Sequence, residues 1–148
     1  MSQTTIHATC VAKDGRGILI MGPSGSGKSD LALRLVDRGF VLVSDDYCHL
    51  RPASEGPAAH LLATPPTNIA GMLEVRHIGI VNLPYAIEMP IALAIALEEK
   101  PERMPDHPAT LKLLGFPIPC VALAGLEPSA PIKVEMALAR HGLALGTP

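Results

Sequence analysis

Eight consecutive residues, Gly22-Pro23-Ser24-Gly25-Ser26-Gly27-Lys28-Ser29, have the spacing Gly-x-x-x-x-Gly-Lys-Ser of a phosphate-binding loop. Glycines let successive backbone N–H groups turn inward around phosphate oxygens. The helix that starts behind them adds partial positive charge at the same place. Lys28 then reaches the β- and γ-phosphates as a point charge, and the Ser29 hydroxyl suits Mg²⁺. On background composition such a pattern arises by chance about once in 30,000 positions. A second feature is the pair Asp45-Asp46, at the end of the apolar run Phe40–Val43. Successive strand residues point to opposite sides, so the two carboxylates should take different tasks. One would face the water shell of a metal ion, and the other an acceptor hydroxyl whose proton a carboxylate can take during phosphoryl transfer.

These groups need a scaffold that the flanking sequence supplies. Ile6–Ala12 and Gly17–Met21 read as two strands of a hairpin around the Asp14-Gly15 turn. The second is apolar throughout, as a strand covered on both faces is. Lys28–Arg38 has Leu31, Leu35 and Val36 at helical spacing, with Gly39 as a stop. Phe40–Val43 is a further buried strand. Tyr47–Pro52 and His60–Ala63 read as paired strands across a turn-rich break at Ala53–Pro57, and Gly71–Val75 and Ile78–Leu83 as short β pieces. Ile91–Leu97 is alanine-rich, which favours helix, but continuously apolar, which suits a central strand, and it is assigned to strand. Pro101–Pro108 is a surface loop, Thr110–Leu114 one helical turn, Pro119–Ala124 a strand, and Pro131–Ala139 a last helix with Pro131 near its first turn. No repeat or linker divides residues 1–148, so one α/β domain with a mixed sheet is expected.

The motifs taken together resemble one family, the bacterial HPr kinase/phosphorylases. After the phosphate loop come Leu33-Arg34-Leu35-Val36-Asp37-Arg38-Gly39 and Val41-Leu42-Val43-Ser44-Asp45-Asp46. The most specific likeness is Gly71-Met72-Leu73-Glu74-Val75-Arg76-His77-Ile78-Gly79-Ile80-Val81-Asn82, similar to the family's signature segment. The resemblance implies a P-loop kinase fold of the HPr kinase C-terminal-domain, or phosphoenolpyruvate carboxykinase-like, type. It implies transfer from ATP, with Mg²⁺, to a regulatory serine of the phosphocarrier protein HPr, with the reverse phosphorolysis in many members. Residue by residue, it implies phosphate binding by Lys28, Mg²⁺ ligation by Ser29 and Glu74, and Asp46 as the base, supported by Asp45. His7 falls where the family has an active-site histidine, and Arg76 lies in the stretch tied to both reaction directions. By its place alone Arg76 could equally pair with Glu74 or Asp45. A homo-oligomer, a hexamer by likeness, is also implied.

Departures from the family pattern set further expectations. The chain begins almost at the kinase core, which reads as a compact form without the family's N-terminal domain. Between Arg76 and Lys100 there is no Arg or Lys, and Ala86 stands about where the family has a catalytic arginine. The family's Pro-x-Pro-Lys appears as Pro117-Ile118-Pro119-Cys120, without the Lys. The reverse reaction is therefore the weaker half of the expectation.

Composition narrows the classes. The 148 residues carry 12 Lys plus Arg against 14 Asp plus Glu, and aromatic residues make up only 3%. No basic face or aromatic platform marks a nucleic-acid binder, and no apolar stretch reaches the ~20 residues of a membrane helix. Cys10, Cys48 and Cys120 read as reduced thiols, and the absence of a leader pattern at the N-terminus reads as cytoplasmic. Two other functions stay open: a P-loop kinase for a small metabolite, which would need an enclosed pocket and a lid with arginines, and a nucleotide-sensing module without turnover.

Overall fold

The computed structural model describes residues 3–53 and 60–145. Along the chain run β1 (Thr4–Ile6), β2 (Thr9–Lys13), β3 (Arg16–Met21), α1 (Lys28–Asp37), β4 (Val41–Ser44), β5 (Cys48–Ala53), β6 (His60–Thr64), β7 (Met72–Val75), β8 (Gly79–Asn82), β9 (Met89–Leu97), β10 (Ala109–Leu113), β11 (Phe116–Leu123) and α2 (Ala130–His141). Nine of the strands form one mixed sheet, in which β1-β5-β6-β9-β3-β2-β4 run side by side. β10 and β11 join through β11, which pairs with β9. β7 and β8 form a separate hairpin.

β9 is the organising strand. It lies parallel to β3 along one side, from Gly17 opposite Ile91 to Met21 opposite Ala96. On its other side, Met89 and Pro90 pair antiparallel with β6, whereas Ala94–Leu97 pair parallel with β11. Buried on both faces, β3 and β9 carry no charged residue beyond Arg16, as a doubly covered strand requires. This is why the alanine-rich run is a strand: its side chains fill two cores at once. Ile18, Ile20, Leu93, Ile95 and Leu97 pack with α1 and α2 residues, while Leu19, Ile91 and Ala94 pack on the opposite face with Cys10, Val43, Leu50 and Leu61.

The β2–β3 hairpin turns at Asp14-Gly15, where both residues have positive φ. α1 buries Leu31, Ala32 and Leu35. α2 starts with Pro in its first turn, where a missing N–H is harmless, and buries Val134, Ala137 and Leu138. Arg34 on α1 and Glu135 on α2 sit on polar sides: Glu135 takes hydrogen bonds from Lys13 Nζ and Arg38 Nε, which hold its carboxyl below the usual carboxylate range.

Two expectations are corrected. Thr110–Leu114, expected as a helical turn, falls instead on β10 (Ala109–Leu113) and the turn after it, and β10 pairs with β11 from Ala109–Cys120 to Leu113–Phe116. Leu114 and Gly115 make the tight turn, both with positive φ, and this hairpin outweighs the helical propensity of Leu-Lys-Leu-Leu. Ile6–Ala12, expected as one strand, is divided at His7-Ala8: β1 pairs with β5, and β2 with β3 and β4. The expected break at 53–57 begins after Ala53, the end of β5, and the rest lies outside the described residues.

Candidate active site

The phosphate loop links the end of β3 to the start of α1, as its motif requires. Gly27 precedes the helix with φ 97°, a left-handed conformation that favours glycine, and a Cβ there would lie 2.7 Å from Leu126 Cδ2. Ser26 N–H donates to Pro23 O at 3.1 Å, closing the turn. The Lys28 side chain folds back under the loop, and its Nζ donates to Gly22 O at 2.8 Å and Pro23 O at 3.1 Å. An ammonium thus sits beneath backbone amides with only 7% of the residue exposed.

Asp45 and Asp46 diverge. Asp45 is buried: its Oδ1 accepts from Ser29 Oγ at 2.7 Å and Thr9 Oγ1 at 3.0 Å, and its Oδ2 from the Glu74 N–H at 3.3 Å. One carboxylate therefore ties the first turn of α1 to β2 and β7. Asp46 follows with φ 72°, which turns its side chain to the surface, where 58% of it is exposed. Its Oδ1 accepts from His7 Nε2 at 2.7 Å. A carboxylate only accepts, so His7 carries its proton on Nε2 in this contact. The His7 ring also stacks on Tyr47, with ring centroids 5.1 Å apart. The Asp46 N–H donates to Thr9 Oγ1 at 3.2 Å, and Ser44 Oγ donates to Tyr47 O. These bonds hold the strained turn between β4 and β5 in one shape.

Ser29, Lys28, Asp46, Glu74 and Arg76 line one cavity of ≈ 710 Å³, together with Ser24, Gly25 and Gly27 of the loop. Glu74 lies on β7, fixed by the buried Leu73 beside it and by the bond from its own N–H to Asp45. Arg76 opens the turn of the β7–β8 hairpin. Among the described residues it has no ion pair, so the pairing with Glu74 or Asp45 is absent. His7 does not line this cavity and reaches it only through Asp46. Gly22 and Pro23 lie at the loop's entry, where their carbonyls hold Lys28.

The donor set fits Mg²⁺ bound together with a nucleotide. Among the described residues no three His, Cys, Asp or Glu side chains converge as a self-sufficient metal cage. A small hard cation such as Mg²⁺ needs only one or two protein oxygens and fills its shell with water and phosphate. Ser29, Asp45 and Glu74 offer oxygens around the first turn of α1.

Sequence reasoning missed Thr9 and Tyr47, which fix the two aspartates and His7. A fully buried threonine inside an apolar strand is the signal that could have flagged the first. Nothing local distinguishes the second.

Residues 1–134 match the model of a family described as HPr Serine kinase C-terminal domain. The chain is 34% identical over 131 residues to an HPr kinase/phosphorylase of Caldicellulosiruptor bescii, covering 80% of this chain and 41% of that protein. It is 36% identical over 132 residues to one of Brevibacillus brevis, covering 81% and 42%. The chain thus spans less than half the length of these curated relatives. The solved structure of the Hpr(Ser) kinase/phosphatase from Coxiella burnetii superposes with a TM-score of 0.80 at 30% identity, covering 93% of this chain and 90% of that one. With a phosphate loop, a divided aspartate pair and a signature hairpin joined around one cavity, the chain belongs to the HPr serine kinase C-terminal domain family.

Proposed function

We propose that this chain is a Mg²⁺- and ATP-dependent kinase domain that phosphorylates a serine of an HPr-like phosphocarrier protein. The observation that carries the reading is the split between the two aspartates. Asp45 is bonded to the phosphate-loop serine, and Asp46 faces solvent in the same cavity, next to His7. An acceptor hydroxyl can approach from the surface without crossing the metal side. Bound Mg²⁺ would neutralise phosphate charge, held by Ser29 and Glu74 with Asp45 behind Ser29. Lys28, released from the two carbonyls it holds, would meet the outer phosphates. Asp46 would take the serine proton, and His7 would orient its carboxylate. In the reverse direction the same carboxyl would return the proton. Arg76, without an ion pair among the described residues, lies at the cavity wall, placed for the transferring phosphoryl or its acceptor.

A protein acceptor is favoured over a small metabolite by the hairpin beside the cavity. Its Ile78 and Ile80 are 74% and 66% exposed, and Tyr85 and Ile87 follow on the same connection. Apolar side chains at a catalytic rim suit a protein surface. No arginine-bearing lid covers the cavity among the described residues, since Arg76 alone of its lining is an arginine. The family likeness extends the proposal to a hexamer and to the cytoplasm. No described helix is long and apolar enough to cross a membrane.

The test is transfer of labelled γ-phosphate from ATP, with Mg²⁺, to HPr from the same cell and to an HPr whose regulatory serine is alanine. Label on the first alone is expected. Label on neither, with ATP bound, would replace the kinase reading by a nucleotide-sensing one.

A further inference from the structure

Asp46, read above as the base, does not sit in ordinary backbone. The Tyr47 N–H donates to Asp45 O at 2.8 Å, closing three residues around Asp46 with its φ of 72°. That is the less common, strained kind of γ-turn, which persists only where its surroundings impose it. With 58% of the Asp46 side chain in solvent, packing does not place the carboxylate; the turn and the His7 bond do. What imposes the turn comes from another strand. β2 and β4 pair from Ala12 opposite Val41 to Cys10 opposite Ser44, and the next residue of β2 is Thr9. Its hydroxyl oxygen accepts from the Asp46 N–H at 3.2 Å, and its O–H donates to Asp45 Oδ1 at 3.0 Å. Both directions are fixed, because a carboxylate only accepts and an N–H only donates.

We propose, on the basis of the kinase reading, that Thr9 is a positioning residue for the base: its one hydroxyl holds the Asp46 turn in the shape that presents the carboxylate to the acceptor serine. Threonine suits the task. Its branched Cβ allows few rotamers, and at this fully buried position the oxygen is fixed between the two aspartates. Asp45 Oδ1 also takes the Ser29 hydroxyl, at 2.7 Å, so a chain of bonds runs from Ser29 through Asp45 and Thr9 to the Asp46 backbone. The base is thereby registered against the first turn of α1, at the phosphate loop, and not against the surface it faces. A second clasp closes the other side of the turn, where Ser44 Oγ donates to Tyr47 O. Thr9 itself does not line the cavity, so it acts through Asp46 and not on a bound ligand.

The experiment compares Thr9→Val, Thr9→Ser and Ser44→Ala with the unaltered protein in steady-state transfer from ATP, with Mg²⁺, to HPr from the same cell, alongside calorimetric ATP binding and urea unfolding. Thr9→Val keeps the shape and removes the hydroxyl, and kcat should fall about 10–100-fold through misplacement of the carboxylate. The Kd for ATP should stay within about twofold, because Asp45 still holds Ser29. Thr9→Ser restores the hydroxyl and should bring kcat back to within about threefold of the unaltered rate. Ser44→Ala loosens the same turn from its other side and should lower kcat by about threefold or more, again without weakening ATP. In the Asp46→Asn background, Thr9→Val should change the residual rate by less than about twofold, since the carboxylate through which it acts is gone. A purely structural Thr9 would move the urea midpoint and leave the kcat of the folded protein alone. A Thr9→Val kcat within about twofold of the unaltered value, or a loss of ATP affinity as large as the loss of kcat, would therefore overturn the proposal and leave the kinase reading standing. Should Thr9→Val not fold, an unchanged kcat in Ser44→Ala would overturn it instead. ATP bound without transfer by the unaltered protein would overturn both readings.

Discussion

Replacing Asp45 by asparagine keeps the side chain's size and removes one acceptor oxygen, and the structure says what that does. Oδ1 serves Ser29 Oγ at 2.7 Å and Thr9 Oγ1 at 3.0 Å, while Oδ2 serves the Glu74 N–H at 3.3 Å. If the new amide nitrogen takes the Oδ2 place, it meets the Glu74 donor. If it takes the Oδ1 place, both hydroxyls lose their acceptor. Either way a donor in a buried site goes unmatched, and the bonds that survive lose their charge assistance. An unmatched buried group costs about 1–3 kcal/mol, and a bond to a charged partner contributes about 1.5–3, so a loss of about 2–4 kcal/mol of stability is expected. Asp46→Asn should behave oppositely. Its carboxylate is 58% exposed and its only side-chain partner among the described residues is His7, itself 44% exposed. Asparagine also tolerates the positive φ at this position. Stability should fall by less than about 1 kcal/mol, while loss of the base lowers transfer by about 10²–10⁴-fold. Urea unfolding midpoints and initial transfer rates at saturating ATP measure both. Equal destabilisation by the two substitutions, or transfer by Asp46→Asn within about threefold of the unaltered rate, would refute the division of labour.

Three further outcomes are expected. Glu74→Gln should raise the Mg²⁺ concentration for half-maximal ATP binding by about tenfold without moving the urea midpoint, because the bond to Asp45 comes from its backbone N–H; an unchanged Mg²⁺ requirement removes Glu74 as a ligand. Hydrogen bonds from Lys13 and Arg38 lower the Glu135 pKa, so the fold favours its charged form, and the stability this gives is present above the unfolded-state pKa and lost as pH falls through the folded one. Glu135→Gln should therefore lower the urea midpoint at pH 7, by less than about 1 kcal/mol at this partly exposed site, and by little near pH 3; the same deficit at both pH values would contradict the pairing. Burial pushes the Cys10 thiol well up, and Cys10 and Cys48 are fully covered, whereas Cys120 is only half-buried and its shift is smaller. A thiol reagent at pH 8 should modify Cys120 first in the native protein; equal labelling of all three without unfolding would count against this packing.

What could be read from the sequence is what is encoded locally. The phosphate loop, α1 and β3 follow from spacing and hydrophobic runs, and the structure places them so. The hairpins at Asp14-Gly15 and between β5 and β6 follow from turn chemistry and alternation. The misread of Thr110–Leu114 has the same root: a five-residue leucine-rich piece is ambiguous, and only its partner Phe116–Cys120 decides it. That the two aspartates would diverge was legible, but the reason was not strand alternation: both lie past the end of β4, and Asp46 turns away through its positive φ. The backbone at Asp46, with φ 72°, is held by Thr9 from a distant strand and could not be foreseen. The 124–128 segment is harder still. Ala-Gly-Leu-Glu-Pro reads as an ordinary loop, and it is held by Arg34, whose two carbonyl partners, Gly125 O and Glu127 O, lie far along the chain.

The shared position of β9 has a consequence for how the molecule comes into being. The β2–β3 hairpin is local and can close in about 1–10 μs. The other edge of β3, however, waits for β9, whose Ile91 ends opposite Gly17, and β9 in turn completes its far side only with β11. During synthesis the apolar run Gly-Ile-Leu-Ile-Met therefore stands with one bare edge until most of the chain has emerged, an invitation to wrong strand pairing. Pairings so distant in sequence slow the search for the native state. The phosphate loop hangs from the end of that strand, so nucleotide affinity should be among the last properties to appear on refolding. Its recovery would then time the closure of the sheet rather than the formation of the helix.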